Sequence, residues 1–307
     1  MYIAGCNCSH QDKDGVSPLH LAISGNFIDI AQALMRYGGN VNAKTGMTYG
    51  KVAPLHIAVT KGLCDATSLL LQYGARTNIL DAKDQSPLFL AVEHEMVDCV
   101  DRMVRHGVNV NEQQINGYTP LMEAVRRRNN ELVKLLVDNG AVAQANDFLL
   151  HESLIGGSLD IGLTLLQSRA CSVHDVNRNG ETALHTMCQK GLVEPTGFLL
   201  ENGADPNARN YYTGAVPLFN AITCVQAYPT FRRVVDLLVA FGADVNAATT
   251  DPDVPIPDVP LRRAIFGRRR HYVELLIYHG ARLDSGQIHN PVAYLCVCYS
   301  LWAGLVG

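Results

Sequence analysis

The sequence predicts an all-α fold, a solenoid of eight helix-turn-helix repeats joined by hairpin loops. A four-residue signal for the start of a helix recurs eight times, at separations of 36, 33, 33, 29, 34, 34 and 43 residues. A closing signal of the type Gly-Ala-Asp-Val-Asn follows each start after two apolar stretches. A single helix pair leaves an apolar face open, so such repeats are stable only when their neighbours cover that face.

Most of the starts contain Pro-Leu after a small or β-branched residue. The eight starts are 17–20, 53–56, 86–89, 119–122, 148–151, 182–185, 216–219 and 259–262. The closings begin with Gly38, Gly74, Gly107, Gly140, Gly203, Gly242 and Gly280, and with Arg169 in one degenerate copy. Together, these two signals resemble the pattern of the ankyrin-repeat family, and the resemblance extends over nearly the whole chain.

The fourth repeat shows why each copy should fold into two helices. Thr119 is a good N-cap because its hydroxyl accepts a backbone N–H, and Pro120 occupies the first helical position, where its missing donor is not needed. Apolar residues at helical spacing then mark two buried faces, at 121–125 and at 132–137. Gly140 ends the second helix.

Three places depart from the regular spacing. The loop 46–52 is lengthened, and the tip before the fifth repeat is shortened by four residues, which leaves a notch beside Asn146, Asp147 and Phe148. Residues 249–258 form an acidic, proline-rich finger of some ten residues before the eighth repeat. The finger is interpreted either as a docking segment or as a tolerated surface insertion, since insertions in surface loops cost little stability.

The repeat pattern indicates one elongated domain, 14–284, between an N-terminal arm at 1–13 and an apolar C-terminal segment at 285–307. That segment is expected to pack as a half-repeat or cap, with a membrane tail anchor as the alternative. In the arm, Cys6, Cys8 and His10 offer three metal ligands without a fourth, so a mobile end is preferred to a metal site.

Composition indicates an ordinary globular chain, with 48% hydrophobic residues, 18% charged residues and a net charge of −4. The acidic balance argues against a nucleic-acid partner, and membrane association is not expected. The N-terminus lacks a basic segment followed by an apolar core, and the nine cysteines are odd in number. The sequence therefore predicts a cytoplasmic or nuclear protein.

Neither a catalytic residue nor a cofactor or metal site is predicted. Segments similar to a phosphate loop at 46–52, a zinc-protease helix at 94–98 and a nucleophile elbow at 156–160 each lack a residue that the mechanism needs. Histidine recurs at one position of four repeats, as His20, His56, His151 and His185. The ankyrin resemblance implies that each hydrogen-bonds the backbone of the adjacent hairpin.

The predicted function is that of a scaffold or adaptor, which binds a protein partner on a concave surface of hairpin tips and first helices. Exposed aromatic and arginine side chains at the tips are candidate contacts, and bracing of their own loops is the alternative. These residues are Tyr49, Tyr118, Tyr211, Tyr212, Arg178 and Arg209. The basic runs 126–128 and 268–270 are interpreted as solvated turns or as pockets for acidic partner residues.

Resemblance supplies two further expectations. The chain is also similar to the ankyrin-repeat and SOCS-box family, which implies a substrate receptor of a cullin-type ubiquitin ligase that recruits elongin and cullin through its C-terminus. Leu295-Cys296 is only a partial match to the elongin-binding motif of that family. Asn246, with Asp244-Val245 before it and Leu238 eight residues earlier, matches the ankyrin site of the oxygen-sensing asparaginyl hydroxylase. An ankyrin-containing enzyme is a more distant alternative.

Overall fold

The structure is a computed structural model that describes residues 8–143, 148–223, 227–250 and 258–282. Across these residues it contains eight pairs of α-helices and one short 3₁₀ turn, Met47–Tyr49. The first helices are α1 Pro18–Ser24, α3 Pro54–Thr60, α5 Pro87–Glu93, α7 Pro120–Arg126, α9 Leu149–Ile155, α11 Ala183–Lys190, α13 Pro217–Thr223 and α15 Pro260–Phe266. The second helices are α2 Ile28–Arg36, α4 Cys64–Gln72, α6 Val97–Arg105, α8 Asn130–Asp138, α10 Leu159–Gln167, α12 Val193–Glu201, α14 Tyr228–Ala240 and α16 Arg270–Tyr278. The all-α prediction and all eight predicted starts are confirmed, and we number the repeats one to eight in this order.

The first helices begin as their sequences predict. The Ser86 hydroxyl accepts the Phe89 amide at 3.1 Å, and the Thr119 hydroxyl accepts the Met122 amide at 3.2 Å. Each of these bonds pairs a backbone donor that the first turn of a helix otherwise leaves unpaired. Proline opens six of the eight first helices, because its fixed φ suits the first helical position.

Left-handed residues follow both helices of every pair whose helix ends the structure describes. The eighth residue after the start of the first helix has a positive φ in all seven repeats in which it is described; these residues are Asn26, Gly62, Glu95, Arg128, Gly157, Gly191 and Arg268. The second helices end at the seven predicted glycines, with φ between 75° and 88°. Arg169 ends α10 with φ 59°, so an arginine adopts a conformation that favours glycine, which has no Cβ.

The described residues form two compact units, each with its own core. In the first unit (8–143 with 163–170), α1, α3, α5 and α7 pack successively against one another, as do α2, α4, α6 and α8. In the second (148–162, 171–223, 227–250 and 258–282), α9, α11, α13 and α15 form one series and α12, α14 and α16 another. The leucine of every helix start is buried, so neighbouring repeats cover each other's apolar faces as predicted. Leu135, on the predicted second face of repeat four, is only half-buried.

The extra length around the predicted finger is divided between two places. Gly242 lies 25 residues after Pro217, whereas 20 residues separate the same positions in the other repeats, and α14 has 13 residues. The prediction of a ten-residue finger is therefore wrong, because about half of the insertion precedes Gly242. At the base of the finger, the Thr249 amide donates to the Asp258 carbonyl at 2.8 Å. Residues 251–257 lie outside the described residues, so the interpretation of the finger as a docking segment stays a prediction.

The other two departures in spacing are confirmed. A hydrogen bond of 3.0 Å from the Thr45 amide to the Val52 carbonyl closes the lengthened loop. In repeat five, α9 begins nine residues after Gly140, which places the missing residues in the preceding tip. Asn146 and Asp147, which were expected to line the notch, lie outside the described residues.

The N-terminal arm is attached to repeat one in its described part. The Ser9 hydroxyl donates to the Gly38 carbonyl at 2.8 Å and accepts the Asn40 amide at 3.0 Å. The described part of the arm, residues 8–13, therefore lies against repeat one. Cys6 and the C-terminal segment 285–307 lie outside the described residues. None of the helices that the structure describes has the length and apolar character needed to cross a membrane.

Candidate interaction surface

The hairpin tips are bonded to one another within each unit. In the first unit, the Gly46 amide donates to the Asp14 carbonyl at 2.7 Å, and the Ala82 amide donates to the Gly50 carbonyl at 2.8 Å. In the second, the Thr250 amide donates to Thr213 at 2.9 Å. Side chains on successive tips therefore lie next to one another, although they are more than thirty residues apart in sequence.

Four closing asparagines connect one hairpin to the next. The Asn246 side-chain amide donates to the Gly280 carbonyl at 3.4 Å, and its oxygen accepts the Arg282 amide at 2.8 Å. Asn207 makes the same two bonds to Gly242 and Asp244, and Asn42 and Asn111 repeat the arrangement in the first unit; their bonds measure 2.7 to 3.4 Å. Asn246 therefore has a structural role, because its side chain joins two successive hairpins.

Three of the six predicted contact residues meet at the tips before repeats six and seven. The Tyr212 hydroxyl donates to the Arg178 carbonyl at 3.4 Å. Tyr211 lies against Gly180, where an added Cβ would come within 2.8 Å of the Tyr211 backbone. Tyr211 and Tyr212 are nevertheless 76% and 66% exposed, so both rings contact the neighbouring tip and present most of their surface to solvent.

Phe148 is the fourth member of this group. The Arg178 guanidinium lies over the Phe148 ring, 5.9 Å from its centroid, a geometry suited to a cation–π interaction. The Phe148 ring in turn packs edge-on against His151, at a centroid distance of 6.1 Å. We call Phe148, Arg178, Tyr211 and Tyr212 the tip cluster.

The remaining three candidates are not part of the tip cluster, and they differ in accessibility. Tyr49 belongs to the first unit, in the 3₁₀ turn of the lengthened loop, and is 55% exposed. Tyr118 is half-buried and packs edge-on against Phe89 at 6.1 Å, so it braces its own loop. Arg209 stabilises its own tip and the next one, because its guanidinium donates to the Gly214 carbonyl at 2.9 Å and to the Ala248 carbonyl at 2.7 Å.

The recurrent histidines have the predicted structural role. His185 Nδ1 accepts the Thr182 amide at 3.2 Å, and its Nε2 donates to the Ala215 carbonyl of the next hairpin at 3.0 Å. The other three also donate from Nε2 to the next hairpin; these bonds are His20 to Val52, His56 to Gln85 and His151 to Glu181, at 3.2 to 3.4 Å. Burial lowers the pKa of all four side chains, which favours the neutral ring.

The basic runs are largely engaged by groups of this chain. Glu123 is only 2% exposed; Arg126 Nε donates to it at 2.8 Å and Arg127 Nε at 2.7 Å. Burial alone would raise the pKa of Glu123, but the bonds from the two arginines lower it below its usual value. In the second run, Arg269 donates to the Ile222 carbonyl at 2.5 Å and Arg270 pairs with Glu274 at 2.8 Å. These four arginines are therefore paired with groups of this chain, and their role towards an acidic partner stays a prediction.

Two polar groupings were not anticipated from the sequence. The Ser86 hydroxyl donates to the carboxylate of Glu112, and Cys64 Sγ lies 3.0 Å from Cys99 Sγ. The partners are 26 and 35 residues apart, so each pair joins neighbouring repeats and no signal within a single repeat identifies it. In the described parts of the chain, no three His, Cys, Asp or Glu side chains are placed to hold a metal ion.

Family models account for more than half of the chain. A model described as ankyrin repeats in three copies matches residues 1–81 and 55–147, and an ankyrin-repeat model matches residues 179–211. The chain belongs to the ankyrin-repeat family. The eight helix pairs described above are accordingly ankyrin repeats.

Several curated proteins and a solved structure resemble this ankyrin-repeat chain. Mouse protein phosphatase 1 regulatory subunit 27 is 32% identical over 122 residues, which is 40% of this chain and 75% of that protein. Mouse B-cell lymphoma 3 protein homolog is 33% identical over 124 residues, 38% of this chain and 27% of the relative. The crystal structure of the ankyrin repeat domain of Bcl-3 has a TM-score of 0.65 and 27% identity, and covers 74% of this chain and 100% of that domain. These similarities support a protein-interaction role.

Proposed function

We propose that this chain is a non-enzymatic scaffold or adaptor of the cytoplasm or nucleus, and that a protein partner binds to the hairpin tips and first helices. The tip cluster of the second unit is the proposed principal contact. The observation that carries this assignment is the juxtaposition of Tyr211, Tyr212 and Arg178, because two exposed tyrosines lie beside one arginine on adjoining tips.

The chemistry of the tip cluster suits a protein partner. Tyrosine and arginine are enriched among residues that dominate binding energy, since a tyrosine ring buries a large apolar area and its hydroxyl still finds a hydrogen-bond partner. The Tyr212 hydroxyl and the Arg178 guanidinium are already positioned by the neighbouring tip and by Phe148. Pre-positioning reduces the entropy lost when a partner orders these side chains.

The same geometry supports a non-enzymatic role. Histidines are the most frequent acid–base groups in catalysis, and here His20, His56 and His185 use both ring nitrogens in hydrogen bonds to backbone. An enzyme built on these residues would first have to break the bonds that order the hairpins.

A comparison of variants tests the tip cluster. Affinity purification from cytosol, with quantitative mass spectrometry, would compare the unaltered chain with Arg178→Ala/Tyr211→Ala/Tyr212→Ala. We expect partners to be depleted about tenfold or more, since each such contact contributes roughly 1 kcal/mol or more. Tyr37→Ala is the matched control, because Tyr37, the C-cap residue of α2 in repeat one, is 75% exposed and lies outside the tip cluster. Equal partner sets from the triple variant and the unaltered chain would contradict the proposal.

The ubiquitin-ligase receptor is the alternative. This alternative depends on the C-terminal segment, which lies outside the described residues. In the same affinity purification, elongin and cullin would be lost from Leu295→Ala/Cys296→Ala but retained by the triple variant. Because one relative is named as a regulatory subunit of protein phosphatase 1, that phosphatase is a defined first probe.

Asn246 is proposed as a modification site for the asparaginyl hydroxylase. Asn207 provides an internal control, because it makes the same inter-hairpin bonds but follows Asp205-Pro206 instead of Asp-Val. We expect peptide mass spectrometry after incubation with the hydroxylase to show added oxygen at Asn246 and none at Asn207. An unmodified Asn246 would remove this proposal and leave the structural role intact.

A further inference from the structure

Two cysteines of neighbouring repeats face each other in the first unit. Cys64 is the first residue of α4 in repeat two, and Cys99 is the third residue of α6 in repeat three. Their sulfur atoms lie 3.0 Å apart, although the residues are 35 positions apart in the sequence. A disulfide has a sulfur–sulfur distance of about 2.05 Å, so closure requires an approach of only about 1 Å.

We propose that Cys64 and Cys99 are an oxidation site, at which a peroxide converts the two thiols into a disulfide that links repeats two and three. A thiol reductant reverses the reaction. This assignment concerns the first unit and is independent of the tip cluster in the second.

Neighbouring contacts hold the two helices in the arrangement that the disulfide needs. Arg102, one turn after Cys99, pairs with Asp65 at 3.2 Å and donates to the Ser68 hydroxyl at 3.1 Å. The Thr67 hydroxyl of α4 lies 3.9 Å from the Cys99 sulfur. Polar contacts on both sides of the sulfur pair therefore join α4 to α6, so the pair does not depend on one flexible side chain.

The two thiols differ in accessibility, which sets the order of the chemistry. Cys64 is partly exposed, whereas Cys99 is fully buried. Burial, together with the hydrogen bond to Cys64, raises the pKa of the Cys99 thiol to about 12, so Cys99 stays protonated and is shielded from solvent oxidants. Cys64 is therefore the sulfur that reacts first.

The reaction balances with hydrogen peroxide as the oxidant. The Cys64 sulfur takes one oxygen of the peroxide and becomes a sulfenic acid as the O–O bond breaks, and one water is released. The Cys99 sulfur then attacks the Cys64 sulfur; the S–O bond breaks, and the departing hydroxide takes the Cys99 proton to form a second water. The two thiols lose two electrons and two protons, and the peroxide accepts them.

The expected consequence is a more stable first unit. In a repeat array, stability depends on the contacts between neighbours, and the disulfide would join two neighbours covalently. Closing a loop of this length should raise the Tm by roughly 5–10 °C.

The experiment treats the full chain with hydrogen peroxide, blocks the remaining thiols and maps peptides without reduction. We expect one cross-linked peptide pair, joining Cys64 to Cys99 and lighter by two hydrogens, together with a Tm increase that dithiothreitol reverses. Cys64→Ser should abolish both the cross-link and the Tm increase. Cys171→Ser should keep both, because Cys171 lies in the second unit.

Two results would overturn the proposal. One is that both Cys64 and Cys99 are still free thiols, and are alkylated, after a peroxide treatment that has oxidised other cysteines of the chain. The other is a cross-link that joins either residue to a different cysteine. Because peptide mapping uses the unaltered chain, the conclusion does not depend on whether the variants fold.

Discussion

In repeat three, Phe89 occupies the position where four other repeats have histidine, and a carboxylate from the next hairpin bonds the N-cap of that helix instead. The Ser86 hydroxyl, which caps α5, donates to Glu112. Burial raises the pKa of Glu112 to about 7, and the bond from Ser86 only partly opposes this effect. A carboxyl group with a pKa raised to about 7 therefore lies inside the first unit.

Glu112 should make the first unit less stable as pH rises. Its pKa is about 7 when folded and 4.5 normally, so the proton is held more tightly in the folded state. Its contribution to the free energy of unfolding is then complete below pH 4.5 and is lost as pH rises to 7, a loss of about 3 kcal/mol at most. The histidines contribute equally to the unaltered chain and to Glu112→Gln, so the two are compared by urea denaturation at pH 5 and pH 8. From pH 5 to pH 8, the free energy of unfolding should change less favourably in the unaltered chain than in Glu112→Gln, by up to this amount. Glu131→Gln, at an exposed site, is the control. If the free energy of unfolding changes between pH 5 and pH 8 by the same amount in Glu112→Gln as in Glu131→Gln, the pKa assignment is incorrect.

Arg169 is a second residue at which one substitution has a clear expected sign. It holds φ 59° at a position where seven other repeats have glycine. Removing the Cβ should relieve the left-handed penalty, so Arg169→Gly should raise the free energy of unfolding by about 0.5–1 kcal/mol. Thermal denaturation measures the change. Gly203→Ala is the reciprocal control, since no atom lies within 4 Å of the added Cβ and any loss of stability reflects φ 86°. A lower Tm for Arg169→Gly would mean that the arginine side chain stabilises the repeat.

At the scale of elements, hairpins are coupled through asparagine side chains and helix pairs through apolar faces. The Asn207 amide joins the hairpin after repeat six to the hairpin after repeat seven, with bonds of 2.9 Å to Gly242 and 2.7 Å from Asp244. Both partners are backbone groups, which secondary structure leaves unpaired at these positions. The side chain therefore pairs one backbone acceptor and one backbone donor of the next hairpin, and so links the two hairpins.

Asn207→Ala should weaken this coupling without disturbing the helices. Loss of two bonds to backbone should lower the free energy of unfolding by about 1–3 kcal/mol and should expose the Asp244 amide to exchange. Hydrogen exchange at Asp244 is the direct measurement. Asn202→Ala removes one bond of 2.8 Å to the Phe198 carbonyl, within a single repeat, and should leave Asp244 protected. Equal protection of Asp244 in both variants would contradict the coupling.

Across the whole molecule, the four buried histidines act in the same direction on acid stability. Burial lowers the pKa of each, although hydrogen bonds to backbone oppose the shift. The histidines bind protons less readily when folded than when unfolded. Their contribution to stability is therefore complete above pH 6.5 and is lost as pH falls below that value.

Acidification should consequently destabilise the chain from pH 6.5 downwards, by up to about 1.4 kcal/mol per pH unit for each histidine. Glu112 has the opposite dependence in this range, so the Glu112→Gln variant isolates the histidine effect. Chemical denaturation between pH 7.5 and pH 5 in that variant is the measurement, and His56→Gln should make the decline shallower. A stability that stays constant over this range would show that the histidines protonate without unfolding.

Local signals explain why so much of the architecture could be predicted. The hydroxyls of Ser86 and Thr119, and the proline after each, specify a helix start within three residues. The spacing of starts alone was less informative for repeat seven, because it does not tell on which side of Gly242 an insertion lies. The tips were the least predictable part, since exposed and bracing tyrosines have similar sequence surroundings.

The sequence by itself determined the number of repeats and the ends of the second helices, because both depend on groups within a few residues of each other. The structural use of the recurrent histidines was implied by the family resemblance. Only the tertiary structure decided which side chains of different repeats meet. Arg178 lies over Phe148, Arg209 is drawn to the Ala248 carbonyl and Cys64 reaches Cys99, at separations of 30, 39 and 35 residues. Those contacts depend on how loops of unequal length stack upon their neighbours, and stacking is a property of packed repeats that no single repeat contains.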